Sequence, residues 1–282
     1  MATLLNIKRR IKTAGNISKT TKAMQMISTS KLKKGQEAAV SSKPYVEKLD
    51  YLSKSIVKKI DSDNLHDYMK TSNINAKLLI VISPDKGLSG GLITNLIREI
   101  IHFNQNGKIF YITVGKKAEH AVASLNKDII ATFPFGNTLP DFDVVYPLLK
   151  IIDEYFLGKK VSEVKILSTK FVSVFTQTPQ ISDLLPVRIT NGVKENDVTI
   201  FEPNLNEILP DLLQHYLEMI LYQNLLESYA SEQAARMIAM KNATDNALDI
   251  ISELQLEYNK TRQEKITNEL LDIEGGSQAY EQ

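Results

Sequence analysis

The sequence predicts an α/β protein with long helices: an antiparallel two-helix coiled coil built from both termini, carrying a central, mainly parallel, Rossmann-like α/β domain. Three observations lead there. The first is a C-terminal stretch of about 70 residues, Leu205 to Glu274, with one proline near its start (Pro210) and no glycine before Gly275. The second is a matching helical stripe over the first 60 residues. The third is an alternation of short apolar runs with helical stretches between them, the pattern of strand–helix–strand units.

The C-terminal stretch has a seam of small or apolar residues: Ala230, Ala234, Met237, Met240, Ala243, Ala247, Ile251, Leu254 and Tyr258. The mean step is about 3.5 residues, the period that keeps one stripe facing a partner helix. At ~1.5 Å per residue the helix reaches on the order of 100 Å, more than one compact domain can cover. At the other end, Leu4, Ile7, Ile11, Ala14, Ile17, Thr21 and Met24 keep a similar spacing. That helix is expected to run to Ile60, with Pro44 bending or interrupting it.

Charge supports pairing of the two. Residues 1–60 carry 14 basic and three acidic residues, a net +11; residues 206–282 carry five basic and 14 acidic, a net −9. The whole chain has a formal net charge of only +1. Opposite charge selects pairing between the ends over self-association. The first 36 residues hold nine basic and no acidic residues, a composition shared with mitochondrial leaders. Lysine outnumbers arginine there seven to two, which argues against a leader.

Between the helices, Asp61–Asn75 reads as a loop. Leu78–Ile82 and Lys108–Val114 read as strands, with Ile129–Phe135, Val164–Thr169, Val187–Ile189 and Val198–Phe201 as further candidates. Helices are expected at Leu92–Asn104, Lys116–Ser124 and Val144–Leu157. The expected domains are therefore 1–60, 61–205 and 206–282.

Composition excludes several chemistries. There is no cysteine, hence no disulfide, thiolate metal site or thiol nucleophile. The four histidines (His66, His102, His120, His215) lack metal-ligand spacing, and no Ser/His/Asp set is suggested. The loop Asp85-Lys86-Gly87-Leu88-Ser89-Gly90-Gly91 follows a strand and opens a helix, where glycine loops cradle phosphate. It matches neither nucleotide fingerprint, and glycines at such a place more often simply permit a tight turn with positive φ, which argues against nucleotide binding. Lys31, Lys33 and Lys34 form a basic cluster without aromatics for base stacking, which argues against nucleic acid and leaves a solvated face or an acidic protein partner. A small-molecule enzyme and a free coiled-coil adaptor are the rival classes.

Two segments carry a family resemblance. Ser231 to Thr244, with Asn246-Ala247 and Tyr258-Asn259-Lys260-Thr261-Arg262-Gln263 through Leu270, resembles the C-terminal signature of the gamma subunit of F-type ATP synthases. Ile17-Ser18-Lys19-Thr20-Thr21-Lys22-Ala23-Met24-Gln25-Met26 is similar to that family's N-terminal motif. The 85–91 loop resembles its Ser-Asp-Arg-Gly-Leu-x-Gly-Gly segment, with Pro84 and Lys86 departing from it.

The resemblance implies a non-catalytic, cofactor-free rotor shaft, present once per complex. It would turn inside a ring of three alpha and three beta subunits, with epsilon and the c-ring at its foot. The membrane is met only through the c-ring, on the cytoplasmic face of a bacterial plasma membrane. Arg262, Gln263, Thr267, Met24, Lys31, Lys33 and Lys34 are the ring contacts this implies. The absent dithiol argues against the chloroplast branch.

Overall fold

In the computed structural model, residues 4–58, 66–70, 72–103, 107–187 and 204–280 are described. The chain runs α1 (Leu4–Lys58), β1 (Ala76–Ile82), α2 (Leu92–His102), β2 (Lys108–Val114), α3 (Lys116–Ser124), β3 (Asp128–Phe133), α4 (Val145–Phe156), β4 (Glu163–Phe171), β5 (Gln177–Leu185) and α5 (Leu205–Tyr280). Single 3₁₀ turns sit at Asp67–Met69 and Phe142–Val144. Two compact units result: Met1–Ile27 with Met237–Gln282, called the coil unit, and Ser28–Arg236, called the body.

The body holds one five-stranded sheet in the order β3-β2-β1-β4-β5. β1 pairs in parallel with β2 and β4, and β2 in parallel with β3; β5 is an antiparallel edge on β4. This is the doubly wound arrangement, in which the strand order turns back between β1 and β4. Because side chains alternate along a strand, β1 feeds two cores. Leu78, Ile80 and Ile82 join Ile112, Val114, Val164 and Ile166 against α4 and α5 residues such as Leu148, Ile152, Leu213, Leu217 and Leu221. Leu79 and Val81 join Tyr111 and Leu167 against α2 and α3, through Leu96, Ile100, Ala118 and Val122. Burial on both faces explains why β1 is a continuous apolar run. Each fully buried aliphatic side chain there contributes about 1.5–3 kcal/mol.

Several sequence expectations shift. α1 continues as helix through Pro44. β5 has no counterpart among the strands expected from the sequence, and the candidate at Val187–Ile189 is not a strand at Val187, its one described residue. Ile189 and Val198–Phe201 lie outside the described residues. β3 begins and ends slightly earlier than the apolar run Ile129–Phe135. In the loop, only Leu88 and Gly90 take positive φ, at 64° and 59°; Gly91 does not, at −79°.

In the coil unit the stripe on α1 is Leu4, Ile7, Ile11, Ala14, Ser18 and Thr21, each buried or half-buried. Ile17, expected on this face, is 50% exposed, and Ser18 takes its place. Strict alternation of steps of three and four after Ile11 and Ala14 demands a step of four. On α5 the buried and half-buried positions include Met237, Met240, Ala243, Thr244, Ala247, Ile251, Leu254, Tyr258 and Thr261. Thr244 therefore belongs to the seam, beside Ala243.

Candidate functional site

Two regions concentrate the groups singled out by the sequence, one in each unit. In the coil unit, Thr21 Oγ1 and Thr244 Oγ1 are 2.7 Å apart. Ile7 and Ala14 are buried before Thr21, while Ala247 and Leu254 are buried after Thr244. Burial that extends backward along α1 and forward along α5 from a shared contact requires antiparallel helices. One hydroxyl donates across this contact, and the other donates within its own helix, to Ile17 O at 3.0 Å from Thr21 or to Met240 O at 2.8 Å from Thr244. A polar pair can thus sit in an apolar seam without an unmade hydrogen bond.

From the Thr21–Thr244 level, Leu4 falls opposite about Thr261, counting residue for residue along both helices. Burial ends there: the described side chains at 262–271 and 273 are all exposed. They include Arg262, Gln263 and Thr267, whose hydroxyl donates to Gln263 O at 3.0 Å. They also include Ile266, Leu270, Leu271 and Ile273, at 48–70% exposure. Met24 is half-buried, and Met237, Ala243 and Ile251 likewise, whereas Met240, Ala247 and Leu254 are buried.

In the body, the 85–91 loop meets α5 at the carboxyl edge of the sheet. Asp85 Oδ1 accepts from the backbone N–H of Lys116 at 2.9 Å and of Phe135 at 3.4 Å, and Oδ2 from Gly136 N–H at 2.8 Å. Lys116 opens α3, so this carboxylate takes the place at a helix N-terminus that favours an anion. Arg236 Nη2 donates to Lys86 O and Gly87 O, both at 3.4 Å, and to Glu232 Oε1 at 2.5 Å. Next along the edge, Ser231 donates to Thr169 O at 3.1 Å and Ser168 to Asn224 Oδ1 at 2.7 Å. α5 therefore lies hydrogen-bonded across the ends of β1 and β4, the switch point where doubly wound sheets open a ligand crevice.

The side chains of Glu232 and Arg236 are only 4% and 11% exposed. Burial raises the Glu232 carboxyl above its ordinary range, against the opposing pull of Arg236. Its Oε2 has no hydrogen-bond partner. Ala234, also on this face, is fully buried. Among the basic cluster, Lys31 Nζ donates to Asn137 O at 2.6 Å, Lys33 lies 4.0 Å from Glu37, and Lys34 is exposed. Arg236 and Glu232 carried no distinguishing sequence signal beyond their place in the 231–244 segment, because Arg236 bonds backbone carbonyls that any residue supplies.

Among the described residues no histidine, aspartate or glutamate group is arranged to hold a metal ion, and no helix is long and apolar enough to cross a membrane.

Comparison with known proteins agrees with this geometry. The family model described as ATP synthase matches residues 3–280. The ATP synthase gamma chain of Dehalococcoides mccartyi (strain CBDB1) is 39% identical over 283 residues, covering 99% of both chains. That of Legionella pneumophila (strain Corby) is 35% identical over 289 residues, covering 99% of this chain and all of the relative. Among solved structures, a chain of the Euglena gracilis mitochondrial ATP synthase (OSCP/F1/c-ring, rotational state 3) superposes with a TM-score of 0.70 at 21% identity, over 97% of this chain and 94% of that one. The central stalk/c-ring structure of the Tetrahymena thermophila mitochondrial enzyme gives 0.62 at 23% identity, over 79% and 99%. Full-length likeness of this degree means that the chain belongs to the ATP synthase gamma-chain family.

Proposed function

We propose that this chain is the central rotor shaft of an F-type ATP synthase, itself without a bond-making site. It passes rotation of a membrane c-ring to conformational changes in a ring of three alpha and three beta subunits. The observation that carries the reading is the bare end of α5: beyond Thr261 its apolar side chains Ile266, Leu270, Leu271 and Ile273 are exposed among the described residues. Such a surface needs an enclosing partner. One off-centre helix inside a near-threefold ring touches each catalytic subunit differently, and only differential contact shifts a conformational equilibrium.

Arg262, Gln263 and Thr267, with Met24 and the basic Lys31, Lys33 and Lys34, are the contacts assigned to the ring. Segments 1–60 and 206–282 form the shaft, and 61–205 the foot that meets epsilon and the c-ring. The chain sits once per complex, peripheral to the cytoplasmic face of a bacterial plasma membrane. Replacing both Arg262 and Gln263 by Ala is expected to lower ATP turnover or its coupling to proton pumping in the assembled complex. Unchanged turnover, coupling and assembly would remove the pair from the interface.

A further inference from the structure

Both long helices of the body are fastened to one rim of the sheet by directional polar contacts, and one carboxylate links the two fastenings. On α1, Lys31 Nζ reaches Asn137 O at 2.6 Å. On α5, Arg236 grips the carbonyls of Lys86 and Gly87, with Glu232 Oε1 fixing the guanidinium. Asp85 stands between: it begins the loop gripped by Arg236 and accepts the N–H groups of Phe135 and Gly136, beside the residue gripped by Lys31. Arg236 is the last residue of the body, and Lys31 lies in its first turn.

The remaining hold of α5 on the sheet combines the Ser231–Thr169 and Ser168–Asn224 hydrogen bonds with apolar contacts through residues such as Leu213, Leu217, Leu221 and Leu225. Apolar burial resists separation but is itself non-directional. Hydrogen bonds have narrow distance and angle preferences, and the two N–H bonds of Arg236 Nη2, shared among Glu232 Oε1 and the Lys86 and Gly87 carbonyls, cannot turn without losing some of those contacts.

We infer that Asp85 and Arg236, with Lys31, are positioning residues that lock α1 and α5 rotationally to the α/β body, so that torque on the body enters the helices without slip. The inference rests on the rotor reading above and adds to it the joint through which the load passes.

The test uses the whole ATP synthase in inverted membrane vesicles, with Asp85→Asn and Arg236→Lys made separately and together. Asparagine keeps the size of Asp85 but sets an NH2 against a backbone N–H. Lysine keeps the charge of Arg236 but ends in a compact ammonium without the planar fork, so Glu232 can hold it without fixing a direction toward the Lys86 and Gly87 carbonyls. ATP hydrolysis and proton pumping are measured on the same vesicles, normalised to assembled complex. The expected result is a several-fold fall in protons pumped per ATP hydrolysed, largest in the double variant. A ratio equal to wild type in assembled complexes would overturn the inference, and so would failure of both single variants to assemble, since the residues would then serve folding alone. If Arg262→Ala/Gln263→Ala disturbs coupling while these variants do not, the clasp fails and the rotor reading stands. If the wild-type chain is not recovered with the complex, the rotor reading itself fails.

Discussion

Glu232 offers a sharp test of how the buried charge pair should be understood. Counted as an ion pair, Glu232–Arg236 at 2.5 Å looks strongly stabilising. Yet burial outweighs Arg236 in setting the Glu232 carboxyl, which is raised above its ordinary range, and Oε2 is buried without a partner. Desolvation of a buried pair can cancel its attraction, whereas deleting one partner outright costs roughly 3–5 kcal/mol. Two substitutions separate these effects.

Glu232→Ala removes the acceptor and leaves a void, and is expected to lower the melting temperature of the full chain by on the order of 6–20 °C, at ~2–4 °C per kcal/mol for a unit of this size. Glu232→Gln keeps an acceptor for Arg236 and removes the buried charge, so at neutral pH it should stay within about 1 kcal/mol of wild type, or ~4 °C. The pH dependence has a definite sign. A carboxyl raised in the folded state contributes its full stability below the ordinary carboxylate value, and that contribution is lost as pH rises through the folded value. The glutamine variant lacks this loss, so its melting temperature relative to wild type should climb as pH rises above the ordinary carboxylate value of about 4.3. Differential scanning calorimetry across that range reads both quantities. If glutamine destabilises as much as alanine, or its relative stability falls with pH, the argument that desolvation dominates is refuted.

Two further outcomes follow from the body. Gly115 has φ of 100°, and a Cβ there would lie 2.0 Å from Ser83 O; Gly115→Ala should cost at least about 3 kcal/mol from strain and forced displacement, seen as a markedly lower melting temperature. Tyr216 donates to Asp50 Oδ1 at 2.6 Å, so Tyr216→Phe should cost roughly 1–2 kcal/mol in denaturant unfolding. Burial, and then Asp50, raise the Tyr216 phenol; the stability it contributes is therefore complete below the ordinary tyrosine value near ~10 and is lost as pH climbs beyond it. The phenylalanine variant should show a shallower alkaline loss, and an identical alkaline profile would count against the buried phenol as its cause.

The terminal helices and the strands β1, β2 and β4 are legible in the sequence because one physical signal dominates each. A long stripe at period 3.5 reports a partnered helix, and an unbroken apolar run reports a strand buried on both faces. β5 is not legible: Gln177-Thr178-Pro179-Gln180 is polar and contains proline, a pattern that reads as loop. As an edge strand it hydrogen-bonds to β4, while Ile181, Leu184 and Leu185 pack into the two cores. Ser18 and Thr244 escape a search for apolar residues because small hydroxylated side chains can bond their own helix and still fit the seam. The 85–91 loop is recognisable by its glycines, but the part played by Asp85 is not, since its partners are backbone amides from segments 31 and more residues away. Contacts to main chain leave no mark in residue identity.

The uncovered end of α5 has a consequence for the chain before it finds its complex. A single amphipathic helix of a few turns draws little stability from its own backbone in water, and its Ile266, Leu270 and Ile273 are exposed among the described residues. A newly made copy therefore presents cellular proteases with a cleavable, greasy end, which assembly would hide. Surplus copies should be trimmed from that end first, so that supply of this subunit becomes matched to the number of complexes able to receive it.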